Sequence, residues 1–160
     1  MTGADGIAQG HVGQPAIGAD IAHGGEPRLQ RDGHEVHLLG QIGPSMVDYP
    51  ESAYVVGKTV AEGKADLGLL ICGTGIGMSI AANKVPGVRA AAVHDELTAQ
   101  ISRSHNNANV LCLSADLLGQ RLIETIVDTW LKTPFEGGRH ARRLDKIAAI
   151  EQGKDPSSVL

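Results

Sequence analysis

Apolar positions along this chain recur in two rhythms that take turns. His34–Gly40 (HEVHLLG) alternates between flanking glycines and predicts a strand. Pro50 can open a helix at its first turn, and Ala53, Val56, Val60 and Ala61 recur at helical spacing as far as Gly63. Asp66–Ile71 (DLGLLI) is a short continuous apolar run, as in a strand buried on both faces. A glycine loop follows, then a short helix near Met78–Lys84 that Pro86 stops. Val88–Val93 predicts the next strand, Glu96–Arg103 a helix with Asp95 as its N-cap, and Asn109–Leu113 another buried strand. Gln120–Leu131 sets Leu122, Ile123, Ile126, Val127 and Trp130 on one helical face, and the chain beyond Arg139 reads as helix up to Gly153.

Strand and helix in alternation mean parallel βαβ units. The expected fold is therefore α/β, three layers deep, with a five-stranded parallel sheet of flavodoxin or Rossmann type. The first third fits this scheme least well. Residues 1–14 are Gly-rich, polar and without period, and read as a flexible extension. Pro15–Asp20 reads as a short first strand. The stretch Ile21–Gly33 has Leu29 as its one large apolar residue after Ile21, which makes a poor crossover helix. Residues 15–152 are expected to form one domain, followed by a polar tail over 153–160.

Composition narrows the function. The chain has 160 residues, 42% hydrophobic and 20% charged, which is globular rather than disordered. A net charge of -4 and four aromatic residues (Phe135, Trp130, Tyr49, Tyr54) argue against a nucleic-acid binder, so an anionic partner has to be held locally. Two cysteines, Cys72 and Cys112, make no disulfide framework, and no Cys/His spacing resembles a zinc knuckle. There is no secretory signal pattern and no apolar run of the ~20 residues a membrane span requires, so a cytoplasmic location is expected.

The chemistry concentrates in Cys72-Gly73-Thr74-Gly75-Ile76-Gly77, between a buried strand and a helix. In open parallel sheets ligands bind outside the carboxyl ends of the strands. Closely spaced glycines let backbone N–H groups converge on an anion, a phosphate or a reaction oxyanion. A dinucleotide fingerprint is disfavoured because Met78 stands where its third glycine belongs, and a P-loop is excluded because no Lys-Ser/Thr follows. The remaining reading is an enzyme site with Cys72 as acid/base or nucleophile. Cys112, mid-strand, reads as a small buried apolar residue.

The runs ICGTGIGMSIAANKVPGVRAA (Ile71–Ala91), SHNNANVL (Ser104–Leu111) and PFEGGRHARR (Pro134–Arg143), with VDYP at Val47–Pro50 and GHEV at Gly33–Val36, resemble the ribose-5-phosphate isomerase type B family. The resemblance spans roughly residues 33–152. It implies an aldose–ketose isomerase that needs no metal or organic cofactor. It also implies a homodimer or homotetramer whose active sites are each built from two subunits. The substrate is a small sugar phosphate, with ribose 5-phosphate and ribulose 5-phosphate as the default pair and a cis-enediolate between them.

Residue by residue, Cys72 matches the proton-shuttling cysteine, and Gly73, Gly75, Ile76 and Gly77 supply the loop that holds the enediolate, with Thr74 assisting. His105 matches the ring-opening histidine, accompanied by Asn106. Tyr49 lines the sugar site, Asp20 matches an aspartate after the first strand, and Arg139, His140 and Arg143 match the phosphate-binding cluster. Two positions depart from the pattern. Ile21 stands where the family carries a histidine after Asp20, and Asp116 stands where it carries an arginine. An acid in place of that arginine turns attraction for phosphate into repulsion. These departures motivate two alternatives, an isomerase for another or an unphosphorylated sugar, and a sugar-phosphate-binding paralogue without catalysis.

Overall fold

The computed structural model describes residues 17–20, 26–39 and 48–159. The leading extension, Ile21 and Gly40 lie outside the described residues. Five strands, β1 (Ile17–Asp20), β2 (Val36–Leu38), β3 (Leu67–Cys72), β4 (Ala90–Ala92) and β5 (Val110–Ser114), form one parallel sheet in the order β2-β1-β3-β5-β4. This differs from the flavodoxin order 2-1-3-4-5 in its last two strands, so that β5 is central and β4 is the edge. Sequence explains the exchange. β5 is apolar at four of five positions and buried throughout, whereas β4 is three alanines and only half-buried.

Helices cover both faces. On one, α1 (Glu26–Arg31), α4 (Glu96–Ser104) and α5 (Gln120–Lys132) pack Leu29, Ala99, Ile126, Val127 and Trp130 onto Leu67, Leu69, Leu111 and Leu113. On the other, α2 (Tyr49–Ala61) and α3 (Ile76–Ala82) pack Ala53, Val56, Val60, Met78 and Ala82 onto Leu70, Val110 and Cys112. The period-two split of β3 and β5 between two cores is why both read as unbroken apolar runs. The weak first crossover is a helix of six residues, and it contributes one anchor, Leu29, which is 4% exposed.

Several boundaries move. The strand expected over His34–Gly40 narrows to Val36–Leu38, because His34 caps a turn through its amide to the Leu29 carbonyl. The helix expected from Met78 begins at Ile76, immediately after Gly75 adopts a left-handed conformation with φ 76°. A last helix, α6 (Arg139–Glu151), buries only His140 and Ala149, and the polar tail turns back over it as a short 3-10 segment held by Lys146 Nζ donating to the Pro156 carbonyl at 3.1 Å.

Gly68 marks the tightest contact between helix and sheet. A Cβ there would stand 2.8 Å from Val56 Cγ1 and 3.0 Å from Val110 Cγ2. Gly68→Ala is expected to destabilise the fold by about 1–3 kcal/mol through overpacking. Urea denaturation that finds the variant as stable as the parent would contradict this packing.

Candidate active site

The strand order reverses at β1, so the crevice of the sheet opens between the carboxyl ends of β1 and β3. Asp20 ends β1 in register with Leu70, two residues before Cys72 ends β3. Cys72 is half-buried, and its Sγ accepts from the Gly75 amide at 3.2 Å. Thr74 Oγ1 accepts from the Ile76 amide at 3.3 Å. Two loop amides therefore already turn inward, onto the sulfur and onto the threonine. Gly75 is required twice over: its φ is left-handed, and a Cβ would sit 3.1 Å from the Leu113 carbonyl carbon and oxygen.

The chain after β5 braces this loop. Ala115 and Asp116 donate their amides to the Cys72 and Gly73 carbonyls at 2.9 and 3.1 Å, and the buried Ser114 hydroxyl donates to the Gly73 carbonyl at 2.6 Å. Tyr49, at the start of α2, lays its ring over Gly77, with Cε2 2.8 Å from where a Cβ would be. The exposed Asp116 carboxylate covers Gly73, its Oδ2 2.8 Å from the corresponding point there. His94, in the loop after β4, sets its Nε2 3.4 Å from the Thr74 carbonyl. Sequence reasoning missed His94, although its place just beyond a strand's carboxyl end is a usable signal.

The other half of the candidate set lies elsewhere. His105 is the C-cap of α4, the helix that carries the chain back to the amino end of β5. The turn that follows is rigidly tied. Asn107 takes φ 44°, a conformation asparagine tolerates better than most residues. Arg103, stacked 5.2 Å over the buried Trp130, donates to Asn107 Oδ1 at 3.1 Å and to the Ala108 carbonyl at 2.7 Å, while Arg89 donates to the Asn107 carbonyl at 2.9 Å. Asn106, beside it, lines a cleft of about 440 Å³ with Arg89, Ala91 and Leu144. The Glu136 amide donates to the Ser104 carbonyl at 3.0 Å, which brings the loop before α6 against His105.

The arrangement there was not legible beforehand. His105 and His140 stack with centroids 4.1 Å apart and planes 10° from parallel. Glu136 Oε2 stands 3.9 Å from His105 Nε2 and 3.7 Å from His140 Nε2. Arg139 Nε donates to His140 Nε2 at 3.4 Å. His140 is 4% exposed and underlies His105, whereas Arg139 and Arg143 are exposed. Those arginines, one turn apart, share a face of α6. The ligand atoms of His105, Glu136 and His140 lie within 4.8 Å of one another. Parallel rings cannot aim both Nε2 lone pairs at one ion, however, so holding a metal would require one ring to turn out of the stack.

The two halves occupy opposite ends of one sheet. Asp20, Tyr49 and Cys72–Gly77 gather at the carboxyl end, whereas His105, Asn106, Arg139, His140 and Arg143 gather at the amino end. The six residues of β3 between them span roughly 16 Å. Cys112 belongs to neither half. Burial, and then the neighbouring Cys72, push its thiol up to about 12, so it remains a protonated core residue.

A half-buried cysteine on a glycine loop at the switch point of a doubly wound sheet places the chain among α/β enzymes that act on small anionic substrates. More particularly, residues 12–147 match the ribose/galactose isomerase family, and the chain belongs to that family. It is 43% identical over 139 residues to ribose-5-phosphate isomerase B of Escherichia coli K12, covering 87% of this chain and 93% of that one. The structure of Clostridium thermocellum ribose-5-phosphate isomerase B superposes with a TM-score of 0.80 at 47% identity, over 86% of this chain and 97% of that one. The Mycoplasma genitalium enzyme, solved with bound ribulose-5-phosphate, gives 0.77 at 44% identity, over 85% and 94%.

Burial, followed by the positive charge of His105 and Arg139, holds His140 below the ordinary histidine value near 6.5, against the opposing pull of Glu136. A histidine depressed on folding contributes stability that is complete above that ordinary value and is lost as the pH falls below it. The urea midpoint is expected to fall on acidification from about pH 7.5 to about pH 5.5, and to fall less in His140→Phe. Equal acid sensitivity in the two proteins would contradict this assignment.

Proposed function

We propose that this protein interconverts ribose 5-phosphate and ribulose 5-phosphate, in sites each shared between two copies of the chain. The observation that carries the reading is the intact cysteine–glycine loop and paired arginines, in a chain this similar to a relative that binds ribulose-5-phosphate. In this reading His105 of one copy moves protons on the sugar as the C1–ring oxygen bond breaks. Cys72 of the other takes the proton from C2 and returns it to C1. The enediolate oxygens between these steps rest on the Gly73–Gly77 loop beside Thr74, and Arg139 and Arg143 take the phosphate through their planar donor forks. Asp20, Tyr49 and Asn106 line the sugar.

The separation of Cys72 and His105 supports two-chain sites. A face able to bring copies together is present around the edge strand β4. Ile80 on α3, Leu97 and Ile101 on α4, and Ile147 and Ile150 on α6 are all exposed, and apolar surface of this kind commonly marks an interface. A symmetric dimer would set the carboxyl end of one sheet against the amino end of the other, twice.

The primary test is turnover of ribose 5-phosphate, which Cys72→Ser should abolish while the fold and assembly persist. The shared site has its own test. Cys72→Ser and His105→Asn proteins, inactive alone, are expected to recover about one quarter of parental activity after co-refolding in equal amounts, because half of the dimers are mixed and each holds one intact site. No recovery would mean that the groups act within one chain.

Asp116 favours a secondary reading, a site with reduced preference for a dianionic substrate. Its carboxylate beside Gly73 repels phosphate, though solvent screens an exposed charge. Asp116→Asn is expected to lower KM for ribose 5-phosphate by about threefold to tenfold with kcat little changed, since tenfold corresponds to about 1.4 kcal/mol. A KM that does not fall would remove Asp116 as a determinant of substrate choice.

A further inference from the structure

We infer that Glu136 and His140 are positioning residues for His105, and that they serve the opening of the sugar ring alone and not the proton transfer at carbon. The inference rests on the function proposed above. Its basis is the stack of His105 on His140, 4.1 Å between centroids and 10° from parallel, with Glu136 Oε2 against the Nε2 of both rings.

His105 is half-exposed at a helix end, and a lone side chain there samples several rotamers. The stack limits it to one plane. His140 can serve as a fixed floor because it is buried and because Arg139 Nε donates to its Nε2. Burial and the surrounding positive charge also favour its neutral form, which spares His105 a like charge beneath its own ring. Glu136, held by its amide on the Ser104 carbonyl, faces His105 Nε2 at 3.9 Å. That carboxylate favours the proton on Nε2 and leaves Nδ1 as the nitrogen that exchanges with the sugar. The distance exceeds a hydrogen bond, and such contacts often tighten only when substrate is bound.

A ring-opening role separates cleanly from the enediolate chemistry. Ribose 5-phosphate is a closed furanose that must open before C2 can lose its proton. Ribulose 5-phosphate cannot close, since its 5-oxygen carries the phosphate. Exchange of its C1 hydrogen with solvent deuterium therefore needs Cys72 and the glycine loop but no ring opening.

Glu136→Gln, at an exposed position, and His140→Leu are expected to lower kcat on ribose 5-phosphate at least tenfold. Both should leave deuterium exchange into ribulose 5-phosphate within about twofold of the parent, as measured by proton NMR, while His140→Phe, which restores a flat ring, recovers most of the loss. Equal loss in both reactions, loss in neither, or His140→Phe behaving as His140→Leu would overturn the inference. A parent protein that turns over neither sugar would instead refute the proposed function.

Discussion

A parallel strand can be re-entered only from its far end, and that constraint decides where chemistry can gather in this molecule. The segments that follow β1, β3 and β4 collect at one end of the sheet, and those that precede β5 and α6 collect at the other. Cys72 ends a strand and His105 precedes one, so no loop rearrangement of ordinary size unites them within one chain. In the reading proposed above, sharing the site between two copies resolves the conflict without any change of fold.

The central sheet was legible because its strands are buried on both faces. LGLLI and VLCL are unbroken apolar runs, as strands covered on both faces require. The strand order was not legible, because nothing local tells β4 from β5 except the poverty of its three alanines. The first crossover was underestimated, since periodicity has nothing to register in six residues, yet one buried leucine anchors the helix to the core.

The candidate site divided in the same way. The glycine loop announced itself through spacing, since Gly75 must adopt a left-handed backbone and must also lie against the Leu113 carbonyl. The histidine pair gave no such sign. His105 and His140 are 35 positions apart, and the turns that stack them depend on Asn107, Arg103 and a backbone contact from Glu136 to Ser104. The family resemblance groups His140 with Arg139 and Arg143, which stand with it on one short stretch of helix. A helix of this pitch nevertheless points adjacent residues about 100° apart, and burial selected one of them.

The β4 edge has a consequence for how the molecule avoids pairing with a stray strand. Three alanines offer no charge, no proline and no bulk to fend off a foreign strand, and the protection comes instead from the end of α3, where Asn83 Oδ1 accepts from the Ala90 amide at 2.9 Å and Asn83 Nδ2 and Ser79 Oγ donate to the Ala90 carbonyl at 2.8 and 3.3 Å. The edge is thus already occupied at Ala90 before any other strand could pair with it. Without the Asn83 side chain that amide and carbonyl would stand open, and resistance to edge-to-edge association would rest on helix cover alone.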